Sequence, residues 1–179
     1  MKVKAMKRVF IILPFILAIS ACSAQGAPQK ASPPDISFSA EADITYGGES
    51  CKAQIRRLEA DNWEFCVTEP YPVQGLVITV ANGETKLKMY DMESIADINA
   101  DAVSMAKAIA LSYDTAASGS SDVTESGGGK KLSGSSELGT YSITLDESGN
   151  PVTLGASAGS LSASITKFAA LEREAEIIE

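Results

Sequence analysis

Two short motifs in the C-terminal third of the chain contain residues that could serve as nucleophiles. Gly155, Ser157 and Gly159 match the G-x-S-x-G pattern of a nucleophile elbow, in which a serine activated by a histidine attacks a carbonyl carbon. The chain has no histidine, and its many Gly, Ser and Ala residues make such a match easy to obtain by chance. We therefore interpret this segment as a loop between strands.

Ser164 and Lys167 match the S-x-x-K pattern, in which a lysine activates a serine. That pair works on a helix, where residues i and i+3 share a face. Here the residues alternate as in a strand, so we expect the two side chains to point to opposite faces. With no acid–base constellation visible, the sequence predicts a protein that is not an enzyme and uses no cofactor.

Acidic residues collect before and at the start of a helical segment, at Asp91, Glu93, Asp97 and Asp101. They could suggest calcium, but no D-x-[DN]-x-[DN]-G loop accompanies them. Acidic residues at the start of a helix also complement its dipole. The sequence therefore predicts no metal site.

Cys51 and Cys66 are the two cysteines outside the N-terminal segment. An oxidising compartment permits a disulfide, but strand alternation places Cys51 with Ala53 and Ile55, whereas Cys66 opposes Phe65. Paired strands place bonded cysteines on the same face. A β-bulge would restore the pairing, so a disulfide and two free thiols both remain open.

Composition narrows the class of partner. Four of the 15 basic residues lie in the first eight positions, so the rest of the chain has 11 basic against 23 acidic residues, a net charge of −12. Nucleic-acid binding needs a basic surface, so nucleic acid is excluded as a partner. The absence of histidine removes the commonest general base and the commonest metal ligand.

The N-terminus has the pattern of an export signal. A basic segment, 2–8, precedes an apolar run of eleven residues, 9–19, which is too short to span a bilayer and is typical of a signal peptide covering residues 1–21. The sequence Ile-Ser-Ala-Cys that ends at Cys22 resembles a bacterial lipobox. The resemblance implies a lipid such as palmitate on Cys22 and attachment to the extracytoplasmic face of the cell membrane. The alternative is an ordinary secretory cleavage site.

Residues 22–35 carry no apolar periodicity and are interpreted as the lipidated cysteine and a flexible tether. Alternating apolar residues then predict strands over 38–46, 51–55 and 63–67. Residues 76–80 and 85–89 flank Asn82-Gly83, a favoured type I′ turn, and predict a hairpin. This gives five strands before the helix.

Residues 97–117 have apolar positions at spacings of three and four and predict an amphipathic helix. Asp97, Asn99 and Asp101 are its candidate caps, and Ile95 belongs to the helix or to the loop before it. Residues 118–129 are interpreted as a mobile loop because they are rich in Ser and Gly. About four strands follow, and an acidic tail covers 169–179.

A sheet with this many strands must curl around something, and one helix on its concave face is the economical solution. The order of motifs resembles the LolA-like lipoproteins, closest to the germination-lipoprotein type of Gram-positive spore formers. The resemblance rests on three stretches: 38–46, 63–76 and 141–151, followed by Phe168. It implies an α+β fold over residues 36–168, a strongly curved antiparallel sheet or half barrel.

Two functions remain open for this lipid-anchored domain. In the first, it is a non-catalytic binding or scaffold domain for a cell-envelope protein, such as a cell-wall enzyme. In the second, it carries a lipid or another apolar ligand in its concave face. The residues expected to form the core or line a ligand cleft on that face are Trp63, Phe65, Ile78, Leu87, Met105 and Ile109.

Overall fold

A computed structural model describes residues 30–95, 100–119 and 121–171. Within them lie twelve strands, one α-helix and two 3₁₀ turns, Tyr71–Val73 and Ala158–Ser160. The strands that precede the helix are β1 Lys30–Ala31, β2 Phe38–Tyr46, β3 Glu49–Glu59, β4 Asn62–Glu69, β5 Val77–Ala81, β6 Glu84–Met89 and β7 Met92–Ile95. The helix and the remaining strands are α1 Asp101–Ser118, β8 Ser121–Ser126, β9 Gly129–Ser136, β10 Gly139–Leu145, β11 Pro151–Ala156 and β12 Leu161–Ala170.

All twelve strands belong to one antiparallel sheet in the order β1-β8-β9-β10-β11-β12-β2-β3-β4-β5-β6-β7. Strand β12 pairs with β2 and joins the strands after the helix to those before it. Strands β1 and β7 lie at the two edges of the described sheet, which is not closed.

Alternation of side chains explains the strands of the first half. In β2, every second residue from Phe38 to Ile44 is buried, and the residues between them face outward. The β5–β6 hairpin has the predicted register, with Ile78 opposite Leu87 and Val80 opposite Thr85. The turn residues Asn82 and Gly83 have φ values of 51° and 80°, which a type I′ turn requires at both positions. The predicted hairpin is confirmed.

The helix runs along β3 and thereby defines two ends for strands β2 to β7. Near its start, Met105 contacts Cys51 at the beginning of β3, and near its finish Asp114 contacts Arg57 toward the end of β3. The turns after β2, β4 and β6 lie at the α1 N-terminal end of the sheet, and those after β3 and β5 lie at the α1 C-terminal end.

The contacts of α1 also require the sheet to curve. The helix lies against β5, β9 and β11, and β5 and β9 are seven positions apart in the sheet. In a flat sheet that separation is roughly 33 Å at about 4.7 Å per strand, whereas a helix is only about 10–12 Å wide. One helix can contact both strands only if the sheet wraps around it. The predicted α+β fold, a curved antiparallel half barrel with one main helix on its concave face, is confirmed.

The structure corrects the number of strands and one loop. Seven strands precede α1 where five are predicted, because β1 and β7 are short and carry no alternation. Residues 118–129 are predicted as a loop, but β8 occupies 121–126 and pairs with β9, with Val123 opposite Leu132. The loop prediction is wrong because neighbouring strands, and not local composition, decide whether a Ser- and Gly-rich segment is extended.

The last residues assigned to the tether pack against the domain. Lys30 and Ala31 pair with β8, Pro33 is buried, and Asp35 forms an ion pair with Arg57. Residues 22–29 lie outside the described part of the chain, as do residues 1–21, predicted to be a signal peptide, and residues 172–179 of the predicted acidic tail. The tail's first two residues extend β12.

The described helix begins at Asp101, and Ala100 at its N-cap makes no side-chain capping bond. Asp101 is therefore the first helical residue and not the cap. The other candidate caps, Asp97 and Asn99, lie outside the described residues. Ile95 belongs to β7. No helix within the described ranges has both the length and the apolar character needed to cross a membrane.

Candidate functional site

The six residues predicted for the concave face come together there as packed core. Trp63, Phe65 and Ile78 are at most 1% exposed, and Met105 and Ile109 are at most 4% exposed. Leu87 is half-buried and packs against the same cluster. Because these side chains close on one another and on α1, they form the interior of the domain and leave no open cleft among themselves.

The α1 C-terminal end of this interior is an aromatic cluster. The Trp63 ring lies 5.6 Å from Phe38 and 5.5 Å from Tyr113 between ring centroids, both in edge-on arrangements. Phe168 lies 4.9 Å from Phe38, and Phe65 stacks on Trp63 at 6.0 Å. Such pairs contribute about 0.5–1.5 kcal/mol each beyond the apolar area they bury.

A buried ion pair between Arg57 and Asp114 also lies at the α1 C-terminal end. The Arg57 side chain is 1% exposed, and its Nε donates to Asp114 Oδ1 at 2.8 Å. Its Nη2 donates to Asp35 Oδ1 at 2.7 Å and its Nη1 to the Ile36 carbonyl at 2.8 Å. Asp114 Oδ2 accepts from Trp63 Nε1 at 2.7 Å and from the Asp61 backbone N–H at 3.0 Å.

The surroundings of Arg57 and Tyr113 shift the pKa values of both side chains. Burial lowers the pKa of the Arg57 guanidinium, but its hydrogen bonds to Asp114 and Asp35 outweigh that effect and raise the pKa above its ordinary value. Burial also raises the pKa of the Tyr113 phenol. The guanidinium carbon lies 5.5 Å from the Tyr113 ring centroid and 5.8 Å from that of Trp63. Arg57 therefore keeps its charge, and Tyr113 keeps its proton over an extended pH range.

The hydrogen-bond network of Arg57 and Asp114 is not among the predictions from the sequence, although the alternation along β3 indicates one part of it. Arg57 continues the inward-facing series of Ala53 and Ile55 along β3, so alternation alone places a charge inside the sheet. A buried charge needs a partner. The partner, Asp114, is 57 residues away on α1, and no local pattern indicates it.

The α1 N-terminal end contains an apolar pocket of about 220 Å³ between β3, β4 and the start of α1. Cys51, Val67, Leu76, Ala102 and Met105 contribute to its wall. Cys51 Sγ lies 3.7 Å from Met105 Sδ, and burial raises the pKa of the Cys51 thiol. Of the six predicted face residues, Met105 lines this pocket.

Polar groups border the same pocket. The exposed residues Glu49 and Asp101 line it together with Tyr46 and Ser50. Among the described residues, neither carboxylate forms an ion pair. The pocket thus combines an apolar interior with uncompensated negative charge where it meets solvent.

The most exposed large apolar side chains of the described chain lie on the segment after β4 and in or beside β7. Tyr71, Tyr90, Met92 and Ile95 are each more than 70% exposed. The first three and the 38%-exposed Val73 lie at the α1 N-terminal end, on the segment after β4 and around the β6–β7 turn. We call Tyr71, Val73, Tyr90 and Met92 the apolar rim.

A second concavity, of about 510 Å³, lies on the outer face of β4 to β7. Its lining includes Lys86, Lys88, Glu64 and Glu93, together with Tyr90 of the apolar rim. Lys86 lies 3.9 Å from Glu93, so part of this charge is compensated locally. The lining of this groove therefore mixes charged and apolar groups, whereas that of the pocket at the start of α1 is mostly apolar.

The serine motif has no catalytic geometry. Ser157 lies between β11 and a 3₁₀ turn, and its Oγ accepts from the Thr140 backbone N–H at 3.0 Å. Gly159 adopts a φ of 57° in that turn. A nucleophile elbow needs a strand, a sharp turn and a helix in succession. The interpretation of 155–159 as a loop between strands holds for residues 157–159, whereas Gly155 and Ala156 belong to β11.

The prediction that Ser164 and Lys167 point to opposite faces is wrong. Ser164 lies opposite Asp43, but the register then shifts between Ile165 and Lys167, so that Lys167 lies opposite Glu41. This β-bulge returns both side chains to the outer face, which strict alternation does not foresee. Lys167 Nζ lies 2.9 Å from Glu41 Oε1 and is 73% exposed, so its charge forms a surface ion pair.

Cys51 and Cys66 are free thiols in the structure. Cys51 faces Met105 in the interior, whereas Cys66 lies opposite Gln54, an exposed residue of β3. The two cysteines occupy opposite faces of the sheet, so the open question of a disulfide is settled in favour of free thiols.

Within the described ranges, no three His, Cys, Asp or Glu residues lie together in a way that could hold a metal ion. Asp91 lies in the β6–β7 turn, Glu93 in β7 and Asp101 in α1. Asp97 lies outside the described residues, as does Cys22, the predicted lipidation site.

Comparison with known proteins gives fold-level likeness only. No protein-family model matches the chain, and no curated protein matches it. An uncharacterized conserved protein from Thermus thermophilus is similar in structure at 12% identity, with a TM-score of 0.46, over 77% of this chain and 80% of that one. A LolA superfamily protein from Nitrosomonas europaea is similar at 10% identity, with a TM-score of 0.43, over 78% and 88%. At this level of likeness, the function has to be argued from the residues of the chain itself.

Proposed function

We propose that this protein is a membrane-anchored, extracytoplasmic lipoprotein domain that binds a cell-envelope protein and performs no catalysis. The observation that carries the proposal is the apolar rim. Monomeric proteins seldom expose several large apolar side chains together, and such clusters mark interaction sites. Aromatic residues and Met are also the types enriched in protein–protein interfaces.

The neighbouring edge strand supports the same proposal. β7 pairs with β6 and lies at the edge of the described sheet. Edge strands are usually protected by charge, proline or bulges, but β7 carries Met92 and Ile95 exposed and one charged residue, Glu93. A strand of this kind offers backbone and apolar groups to a partner.

Membrane attachment through Cys22 is the other half of the proposal. It rests on the lipobox-like sequence that ends at Cys22 and on the short apolar run before it. The described chain begins at β1, at the opposite edge of the sheet from β7. Attachment at one edge would leave the rim and β7 available to a partner.

Photocrosslinking on cell membranes tests the protein-binding proposal. A photoreactive phenylalanine analogue replaces Tyr71 or Tyr90 in the full chain, and a matched control replaces Glu147, an exposed residue in the turn between β10 and β11. We expect both rim positions to give one crosslinked protein of the same mass, with Met92→Glu reducing its yield severalfold. Equal yield from Glu147, or crosslinks to lipid only, would overturn the proposal.

The anchor is tested separately. We expect the full chain to fractionate with membranes and its N-terminal peptide to carry acyl chains on Cys22 by mass spectrometry. Cys22→Ser should release the chain from membranes, because two or three acyl chains provide the anchoring energy. A Cys22→Ser chain that stays membrane-bound would contradict lipid attachment at that residue.

Binding of a lipid or another apolar ligand is the second candidate. The concave face is closed by α1, whose ten buried residues cover it, so a lipid could reach this face only if the helix moved away and exposed its apolar surface. Native mass spectrometry of the full chain purified with a membrane-lipid source would detect a bound lipid of defined mass. A mass that matches the protein alone would exclude tight lipid binding.

A further inference from the structure

The pocket at the start of α1 has two properties that together define an occupant. Its wall is apolar, with Leu76, Ala102 and Met105 on different elements. Its border carries Glu49 and Asp101, which are exposed and form no ion pair among the described residues. An apolar group beside a positive charge would match both properties.

The volume of the pocket favours a single side chain over a lipid as its occupant. Pockets for small molecules usually have volumes of about 300–1,000 Å³, whereas this one has about 220 Å³. A single bulky side chain of a partner is the type of group that fills such a space as an interface anchor. The apolar rim lies at the same end of the sheet, and Val73 belongs to both the rim and the pocket wall.

The charges favour a basic residue next to that anchor. Glu49 lies at the start of β3 and Asp101 at the start of α1, and both border the pocket together with Tyr46. A lysine or arginine placed there meets two carboxylates of opposite charge. The helix dipole offsets part of the Asp101 charge but not that of Glu49. The net charge of −12 outside the first eight residues favours the same sign of partner.

We propose that the pocket formed by Cys51, Val67, Leu76 and Met105 is a peptide-anchor site, which binds a bulky apolar side chain of the partner protein while Glu49 and Asp101 pair with an adjacent lysine or arginine. This inference rests on the proposed function, because it assigns a recognition sequence to the protein partner. It goes beyond that function by stating which chemistry of the partner is recognised and where.

Methionine-methyl NMR on the full chain in phosphatidylcholine nanodiscs tests the site, because Met105 lines the pocket. The probe is a capped five-residue peptide with phenylalanine between two lysines. The controls replace the lysines with glutamates or the phenylalanine with alanine. We expect saturable shifts of the Met105 methyl signal and about tenfold tighter binding than the glutamate peptide, which is about 1.4 kcal/mol.

Variants assign the effect to the pocket. Glu49→Gln with Asp101→Asn should reduce the preference for lysine to less than threefold, whereas Asp122→Asn with Glu147→Gln, which removes the same charge elsewhere, should leave it intact. Ala102→Phe should fill the pocket and abolish the Met105 shifts. Leu76→Phe is a second filling variant in case the helix substitution unfolds the chain.

Several results would overturn the inference. These are the absence of a saturable shift at millimolar peptide, equal binding of the glutamate peptide, or shifts that persist in both filling variants. A co-purified lipid displaced by Ala102→Phe would also overturn it and favour the second candidate function. If the rim crosslinks persist while the peptide fails, only the anchor site is wrong. If both fail, the proposed function fails as well.

Discussion

The two ends of the sheet differ in how completely the chain fills them. At the α1 C-terminal end, aromatic rings and the pair of Arg57 and Asp114 occupy the space between helix and sheet, and every nitrogen of the guanidinium and both oxygens of the carboxylate form a hydrogen bond. At the α1 N-terminal end, a pocket of about 220 Å³ remains open, and the apolar rim lies in solvent.

This contrast indicates that one end of the sheet stabilises the fold and that the other end binds a partner. A filled, hydrogen-bonded interior makes a domain rigid, whereas unfilled apolar space and exposed aromatic side chains leave free energy to be gained on binding a partner. The C-terminal end also holds the segment that leads into β2, because Asp35 and the Ile36 carbonyl bond to Arg57. We infer that one end of α1 fixes the fold and that the other end remains available for recognition.

Removing the buried carboxylate should have the largest effect. Asp114→Ala leaves Arg57 without its interior partner and removes the acceptor of Trp63 Nε1. Loss of one member of a buried pair costs about 3–5 kcal/mol because the other charge stays buried. Urea unfolding should therefore show a loss of that size. Glu64→Ala, which breaks the exposed pair with Arg56, should cost less than about 1 kcal/mol. Similar losses in the two variants would contradict the contrast between buried and exposed pairs.

Enlarging alanine at each end of α1 compares the packing directly. Ala116 is 0% exposed, and Ala116→Leu should destabilise the fold by about 1–3 kcal/mol through overpacking. Ala102 lines the pocket, so Ala102→Leu should be neutral or stabilise by about 0.5–1 kcal/mol. Both residues lie on the same helix, so differences in helix propensity cancel. Urea unfolding gives the free energy of unfolding of each variant. An equal loss of stability in both variants would mean that the pocket cannot accommodate a larger side chain.

Strands that carry their own pattern could be predicted from the sequence, but those defined by neighbours could not. The alternation from Phe38 to Ile44 and the Asn82-Gly83 turn place β2 and the β5–β6 hairpin correctly. The strands β7 and β8 carry no such alternation and exist because β6 and β9 pair with them. The bulge between Ile165 and Lys167 is equally invisible locally, so the predicted facing of Lys167 fails.

The candidate site was predictable in part. Side-chain pattern identified the concave face, including Met105, which lines the pocket. Whether that face is open or closed depends on how α1 packs against distant strands, and periodicity carries no such information. The rim could not be predicted, because Tyr71 and Tyr90 follow different strands and come to one end only through the register of β4 to β7.

The filled end should also respond to alkaline pH. The pKa of Tyr113 is raised above its ordinary value by burial, so above about pH 10 the unfolded chain loses this proton while the folded chain keeps it. The stability that is fully present below pH 10 is therefore lost as pH rises, by up to about 1.4 kcal/mol per pH unit. Between about pH 10 and 11.5, the free energy of unfolding of the Tyr113→Phe variant should therefore fall less with pH than that of the Tyr90→Phe variant, which alters an exposed ring. Parallel curves would show that Tyr113 is not the group responsible.

The smallest predicted effect concerns a flaw in the filled end. Thr85 is 3% exposed, and its hydroxyl has no hydrogen-bond partner among the described residues. It lies opposite Val80, beside the β5–β6 turn. A buried hydroxyl without a partner is unfavourable by about 1–3 kcal/mol, and valine keeps the branched shape that suits a strand. Thr85→Val should therefore stabilise the domain by about 1 kcal/mol in urea unfolding.

Thr79→Val on the half-buried outer face of β5 is the matched control and should change stability by less than about 0.5 kcal/mol. A destabilised Thr85→Val variant would mean that a bound water or ligand satisfies the hydroxyl. The α1 C-terminal end would then contain a polar contact to a bound molecule. The two ends would differ in the polarity of what they bind, and no longer in how completely side chains fill them.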